Sequence, residues 1–261
     1  GVLLKELVVF PQLLQERSED GKRIVVIHDN LRLKLQKASV LAESVLVAGI
    51  TGSDTEPRKV NGRELEKNLY EDREKLSSVI MLESKDGVAL EGVLSEYLTI
   101  KPVAVTGRTS WRGIPHIISS IEQSELNIVS DMGRSCIARN LEKVTSQMNG
   151  TNVYRQAAPL LAVAFELFVL VDTVYGTLHK DLLGYLLSVL NAVKLRYSLM
   201  VDPIVALRVV GMYRLTESEE AQIYRYSYPY VLAEESLRRL QLFVQWRPVF
   251  GRPDLFYMFV G

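Results

Sequence analysis

The stretch FELFVLVD, residues 165–172, decides how the C-terminal part of this chain folds. Its apolar residues follow one another almost without interruption over the length of a strand, which is typical of a strand buried on both faces of a parallel sheet. The longest apolar run of the chain, residues 160–171, includes all of this stretch except Asp172 and is interrupted by Glu166. A membrane-spanning helix needs about 20 apolar residues. The run therefore predicts a buried strand, and we expect no membrane span.

The segments after this strand alternate between helical and extended patterns. Residues 182–200 have a helical period with one thin polar stripe, which predicts a helix buried on most sides. The stripe consists of Gly184, Ser188, Asn191, Lys194 and Ser198. Residues 204–212 and 255–260 are apolar and of strand length, and residues 232–246 between them form an amphipathic helical pattern. Because parallel strands are joined by right-handed crossovers, this order predicts an α/β unit, β-α-β-α-β, with helices covering a parallel sheet.

The N-terminal part of the chain has a different pattern. Short runs of β-type composition recur between residues 7 and 105 and are separated by turn signals. The strict alternation in LRLKL, residues 31–35, predicts a strand with one buried face, and residues 64–76 predict one short helix. We therefore predict an α+β protein with a β-rich domain at 1–155, a linker at about 120–155 within it, and a second domain at 156–261.

Composition and charge exclude several classes of protein. Lysine and arginine total 31 and aspartate and glutamate total 31, so the chain has no excess positive charge and we predict no nucleic-acid partner. Cys136 is the single cysteine, which excludes an internal disulfide and a multi-cysteine zinc site. Asn149 begins the one Asn-x-Ser/Thr tripeptide of the chain and is a candidate glycosylation site if the protein is secreted.

The common catalytic motifs are missing from the sequence. DTVYG, residues 172–176, lacks the glycines of a phosphate-binding loop, which disfavours nucleotide binding, and Asp172 is expected to cap a helix. The histidines are His28, His116 and His179, and no two have the i, i+4 spacing by which a helix presents zinc ligands. His28 and His116 are expected in turns or on the surface. We assign no catalytic residue and no zinc ligand to this chain.

Several segments of the N-terminal part occur in an order that is typical of one family. They are residues 8–11 (VVFP), 31–42 (LRLKLQKASVLA), 91–94 (EGVL), 98–102 (LTIKP) and 114–116 (IPH). In this order they resemble the propeptides of the secreted reprolysin-like zinc metalloproteases, and most closely those of the tick salivary subgroup.

The C-terminal part resembles the catalytic domain of the same family. Residues 165–172 resemble its opening strand and LNAVKLRY, residues 190–197, the end of its first helix. Residues 204–211 resemble the second strand, and DLFYMFVG, residues 254–261, the third. The resemblance covers nearly the whole chain. It implies a β-rich propeptide followed by the N-terminal half of a metzincin-type catalytic domain.

The resemblance also implies a function. The chain would be the N-terminal portion of a secreted zinc metalloendopeptidase zymogen that acts on protein or peptide substrates. The family's zinc motif, His-Glu-x-x-His-x-x-Gly-x-x-His, would follow Gly261, so this chain is expected to be inactive alone. Glu166 and Asp254 match by position two ligands of a structural calcium ion in the family, and carboxylates are the donors that calcium prefers. The alternative is a non-enzymatic secreted binding protein derived from such a protease.

Overall fold

The protein has an α+β fold that contains more strand than helix. The computed structural model describes residues 6–14, 22–52, 55–103, 113–120, 162–227 and 230–261. The strands before residue 121 are β1 (Leu7–Val9), β2 (Gln12–Leu14), β3 (Arg23–His28), β4 (Leu31–Lys37), β5 (Leu41–Ala48), β6 (Arg58–Asn61), β7 (Leu69–Asp72), β8 (Ser77–Ser84), β9 (Gly87–Val93), β10 (Leu98–Pro102) and β11 (His116–Ser120). The later strands are β12 (Ala162–Val171), β13 (Ile204–Arg214), β14 (Tyr226–Ser227), β15 (Tyr230–Val231) and β16 (Leu255–Phe259). The helices are α1 (Gly62–Leu65), α2 (Thr173–Leu178), α3 (Leu182–Tyr197), α4 (Glu217–Ile223) and α5 (Ala233–Gln245), with a 3₁₀ turn at Pro248–Phe250.

The larger sheet is antiparallel and comes entirely from the N-terminal part. Its nine strands follow the order β1-β11-β10-β9-β8-β7-β4-β3-β2. In β4 the side chains of Leu33 and Leu35 are fully buried while those of Arg32 and Lys34 are exposed, which confirms the strand predicted from alternation. The leucines belong to one apolar core that extends from β1 to β11.

The helix predicted over residues 64–76 is wrong beyond its first turn. The helix α1 ends at Leu65, and Leu69–Asp72 form the buried strand β7. The reason is tertiary, because pairing with β8 buries the side chains of Leu69 and Tyr70. The polar residues that follow form a turn, in which the Asp72 carboxylate accepts hydrogen bonds from the backbone N–H groups of Glu74 and Lys75.

The smaller sheet contains the strand predicted from residues 165–172. Its order is β16-β12-β13-β5-β6. β12 lies between β16 and β13 and is parallel to both, as the predicted β-α-β-α-β order requires. α3 packs on one face with an apolar core that includes Val169 and Leu186. α4 and α5 pack on the other face with a core that includes Phe168 and Leu240.

The N-terminal part contributes two strands to this smaller sheet. β5 is parallel to β13, and β6 is antiparallel to β5 at the edge. The sequence did not indicate this pairing, because β5 lies more than 100 residues before β12 in the chain. The predicted boundary at residue 155 and the linker beyond Ser120 lie outside the described residues, and the division at that point stays a prediction.

The side chain of His116 is fully buried, so its expected place in a turn or on the surface is wrong. β9 and β10 pair only at residues 92–93 and 99–100, and beyond this pairing the imidazole of His116, which is on β11, contacts β9 directly. Its Nε2 accepts a hydrogen bond from the backbone N–H of Leu90 at 2.9 Å, and its Nδ1 lies 2.8 Å from the carbonyl oxygen of Ile114. Nδ1 is therefore the protonated nitrogen of a neutral ring. Burial lowers the pKa of His116.

We expect the stability of the nine-stranded sheet to fall in mild acid because of His116. Below its ordinary pKa of about 6.5, the unfolded chain takes up a proton on this histidine that the folded chain does not. The contribution of neutral His116 to the free energy of unfolding is therefore present above that pH. It is lost as the pH falls toward the lowered pKa of the folded state. Between pH 7.5 and 5.5 the free energy of unfolding of the wild type should fall further than that of His116→Gln, measured by urea unfolding. The difference is at most about 1.4 kcal/mol, the limit for one histidine that protonates only in the unfolded chain.

The substitution itself should cost about 1 kcal/mol at pH 7.5 through the weakened hydrogen bond. His28→Gln is the control, since it removes a partly exposed histidine at the end of β3. Equal pH slopes for the wild type and His116→Gln would contradict the assignment.

Candidate functional site

The two residues expected to bind calcium lie next to each other. Glu166 is on β12 and Asp254 directly precedes β16. The parallel register pairs Leu167 with Leu255 and so brings the two residues side by side. Asp254 Oδ2 accepts a hydrogen bond from the backbone N–H of Glu166 at 2.8 Å. Both side chains are exposed, which leaves the Glu166 carboxylate and the second oxygen of Asp254 facing solvent.

A groove of about 610 Å³ adjoins Glu166 at the amino ends of the parallel strands. Its walls come from the starts of β5, β12 and β13, from α1 and from the end of α3. The carboxylate of Glu66 is buried there and accepts hydrogen bonds from the backbone N–H groups of Val40 and Leu41, at 2.9 and 3.0 Å. Lys194 donates to the carbonyl oxygen of Ser39. These two charged side chains therefore hold the backbone that leads into β5.

Asp172 closes the opposite end of the sheet, where the parallel strands finish. Its side chain is 2% exposed, and Oδ1 accepts the backbone N–H of Tyr175 at 2.6 Å, so the predicted capping role is confirmed. Oδ2 accepts the hydroxyl of Tyr224 at 3.0 Å and the backbone N–H of Gly261 at 3.1 Å. Burial, together with the hydrogen bond to Asp172, raises the pKa of Tyr224. The carboxylate thus binds groups of its own chain.

Glu220 acts in the same way beside Asp172. Its carboxylate accepts hydrogen bonds from the backbone N–H and the hydroxyl of Thr173. Arg214 donates to the carbonyl oxygen of Thr173 at 3.2 Å. The carboxylate oxygens of Asp172 and Glu220 therefore accept hydrogen bonds from the start of α2 and hold that helix in place.

The three histidines lie on separate elements, at the end of β3, at the start of β11 and after α2. Within the described residues, no group of three or more histidine, cysteine, aspartate or glutamate side chains is arranged to hold a metal ion. Cys136 and Asn149 lie outside the described residues. In the same described part of the chain, no helix has the length and apolar character required to cross a membrane.

A second cavity, of about 410 Å³, lies beside α5 and is bordered by an exposed tryptophan. Trp246 is 79% exposed. Arg247 lies over the ring of Phe243, 4.0 Å from its centroid, and forms an ion pair with Glu219 at 3.3 Å. The amphipathic pattern of residues 232–246 predicted the helix but not this surface, because Trp246 comes at its C-terminal cap, outside the periodic face.

A buried polar contact between β7 and α3 was missed at the sequence level. The side chains of Glu71, Ser78 and Asn191 are almost completely buried. Asn191 Nδ2 donates to Glu71 Oε2 at 3.2 Å and to Ser78 Oγ at 3.1 Å. Burial by itself would raise the pKa of Glu71, but hydrogen bonds from Arg73 and Gln36 hold that pKa below its usual value. A signal was present, since Asn191 belongs to the thin polar stripe of a helix predicted to be buried on most sides.

Comparison of the chain with models of protein families, with curated proteins and with solved structures finds no match in any of the three. The sites described above are therefore interpreted from their geometry and from the sequence motifs.

Proposed function

We propose that this chain is the N-terminal portion of a secreted zinc metalloendopeptidase zymogen of the reprolysin-like type. Residues 1–155 would be the propeptide and residues 156–261 the first part of the catalytic domain. The observation that carries the proposal is the strand order β16-β12-β13, parallel throughout and with β12 in the centre. This order agrees with the β-α-β-α-β half-domain that the sequence motifs imply.

The described residues do not fit a zinc site, since their histidines lie on separate elements and no suitable ligand group occurs among them. The proposal therefore gives this chain the role of a scaffold and places the zinc ligands in sequence that follows Gly261. It assigns no catalytic residue here. Zinc, when bound to the complete enzyme, would activate the water that hydrolyses a peptide bond.

The scaffold role has a physical basis in β16. This strand pairs with β12 on one side, and among the described residues no strand pairs with its other edge. The side chains of Leu255 and Tyr257 are about half exposed on it. An unpaired strand edge offers backbone N–H and C=O groups to an extended polypeptide. In the proposed enzyme this side of the sheet would face further strands or a peptide substrate.

The proposal is tested by the reading frame downstream of the codon for Gly261. We expect it to encode a His-Glu-x-x-His motif, and we expect the extended protein to cleave casein in a chelator-sensitive manner. Replacing the motif glutamate by glutamine should reduce the rate at least about 100-fold, because general-base catalysis is lost. The 261-residue chain is the matched control and should neither retain zinc nor cleave casein.

A frame without the motif, or an extended protein that is inactive with zinc bound, would contradict the protease proposal. That outcome would favour the alternative, a non-enzymatic secreted binding protein. Secretion has its own test, since a glycan at Asn149, detected by mass spectrometry of the protein from a secretory host, would support passage through the secretory pathway.

Calcium binding at Glu166 and Asp254 is part of the proposal. Calcium takes about six to eight oxygen ligands, and these two adjacent exposed carboxylates would supply the share that comes from this chain. We expect calcium to raise the melting temperature of the extended protein, measured by scanning calorimetry. Glu166→Ala should abolish that shift, whereas Glu43→Ala, which removes another carboxylate bordering the groove, should retain it. An unchanged shift in Glu166→Ala would remove the calcium assignment.

A further inference from the structure

The strand β5 has the environment of an internal strand of the smaller sheet. It pairs with β13 on one side and with β6 on the other. Val45 and Val47 point to the face covered by α3, and Leu46 and Ala48 point to the face covered by α4 and α5. All four side chains are less than 10% exposed. Withdrawal of β5 would therefore open both apolar cores at the same time.

The helix α3 lies between the two sheets and contacts each of them. Leu186, Leu187 and Leu190 pack into the core on the smaller sheet. In the polar stripe predicted from the sequence, Ser188, Asn191 and Lys194 face the larger sheet and the segment between the sheets, whereas Ser198 at the end of the stripe is exposed. Ser188 faces Gly92 on β9, Asn191 contacts β7 and β8, and Lys194 binds the carbonyl oxygen of Ser39.

The fit between α3 and the larger sheet is close at Gly92. A Cβ atom at this position would lie 2.4 Å from the carbonyl oxygen of Ser78 and 3.1 Å from Cβ of Ser188, and the φ angle is +148°. Only glycine has that conformation without strain and also leaves room for the helix. The packing of α3 against β9 is thus as close as in a protein interior, although the two elements belong to different parts of the chain.

The buried carboxylate of Glu71 provides a polar contact between the larger sheet and α3. Its Oε1 accepts hydrogen bonds from Gln36 and Arg73, at 3.0 and 2.7 Å, and its Oε2 accepts one from Asn191 on α3. An ionised carboxylate in an interior requires such donors. Separation of α3 from β7 would remove the Asn191 donor and expose the apolar surface around it.

We propose that the N-terminal part remains bound to the C-terminal part as a non-covalent subunit when the chain between them is cut. The binding surface on the C-terminal part consists of the edge of β13 that pairs with β5 and of Ser188, Asn191 and Lys194 on α3. Its partner is the β5–β6 hairpin together with β7, β8 and β9. The inference rests on the proposed function in one respect, since only that function identifies the N-terminal part as a propeptide. One cleavage would then leave the propeptide bound. A second step would be required to remove it from the sheet.

The experiment uses the full chain with one recognition site for a sequence-specific protease introduced after Arg139. After complete cleavage, verified on a denaturing gel, the protein is passed through a sizing column at about 1 μM in native buffer. We expect one peak at the elution volume of the uncut chain, containing both fragments, and two peaks only in denaturant. Two separate peaks in native buffer would overturn the proposal.

Two charge-matched variants test whether this interface holds the fragments together. Asn191→Asp places a carboxylate against Glu71 and should weaken association of the cut fragments at least about tenfold, measured by analytical ultracentrifugation over a dilution series. Gln241→Glu makes the same amide-to-carboxylate change at an exposed position of α5, on the opposite face of the smaller sheet, and should associate as the wild type does. Equal association of both variants would overturn the assigned surface.

If Asn191→Asp does not fold, the cut wild type still decides the proposal. The assay records association and no peptidase activity, so its outcome is separate from that of the zinc-motif test. If the cut fragments stay associated and the reading frame lacks the zinc motif, only the protease proposal is refuted. Released fragments in an active protease would refute only this inference.

Discussion

The parallel pairing of β5 with β13 is the contact on which the rest of this structure depends. It inserts a strand of the N-terminal part between β13 and β6 and gives the smaller sheet five strands. Because successive side chains of a strand point to opposite faces, β5 supplies apolar groups to two cores at once. The buried carboxylate of Glu66 binds the backbone N–H groups at the start of this strand. The same chain path brings the larger sheet against α3.

The buried charge at Glu71 determines how closely the larger sheet and α3 must fit. Removing a carboxylate from water is costly, and only well-placed donors offset that cost. Gln36, Arg73 and Asn191 provide them from three different elements. A slip of β7 by one residue would turn Glu71 to the other face of its sheet and leave its charge without these partners. The polar network therefore specifies one arrangement of sheet and helix.

The two ends of the parallel sheet have different chemical characters. At the carboxyl ends, Asp172 and Glu220 are occupied by hydrogen-bond donors of the chain itself. At the amino end of β16, next to the groove, Asp254 is adjacent to Glu166, and both residues are exposed. The calcium proposal therefore concerns Glu166 and Asp254, which are exposed, and not the buried carboxylate of Asp172. The position of both residues is a consequence of the register between β12 and β16.

Local patterns in the sequence determined the elements whose apolar pattern or polar cap lies within the segment itself, such as the alternating strand β4, the apolar strand β12, the helix α3 and the capping role of Asp172. The family resemblance singled out Glu166 and Asp254 as a pair, whereas the register between β12 and β16 that makes them neighbours is known only from the structure. The tertiary structure alone decided the strand at residues 69–72, the burial of His116 and the position of β5 in the second sheet. Each of these depends on partners distant in the chain. The local pattern of apolar residues shows which side chains become buried, but not which distant strand or helix buries them.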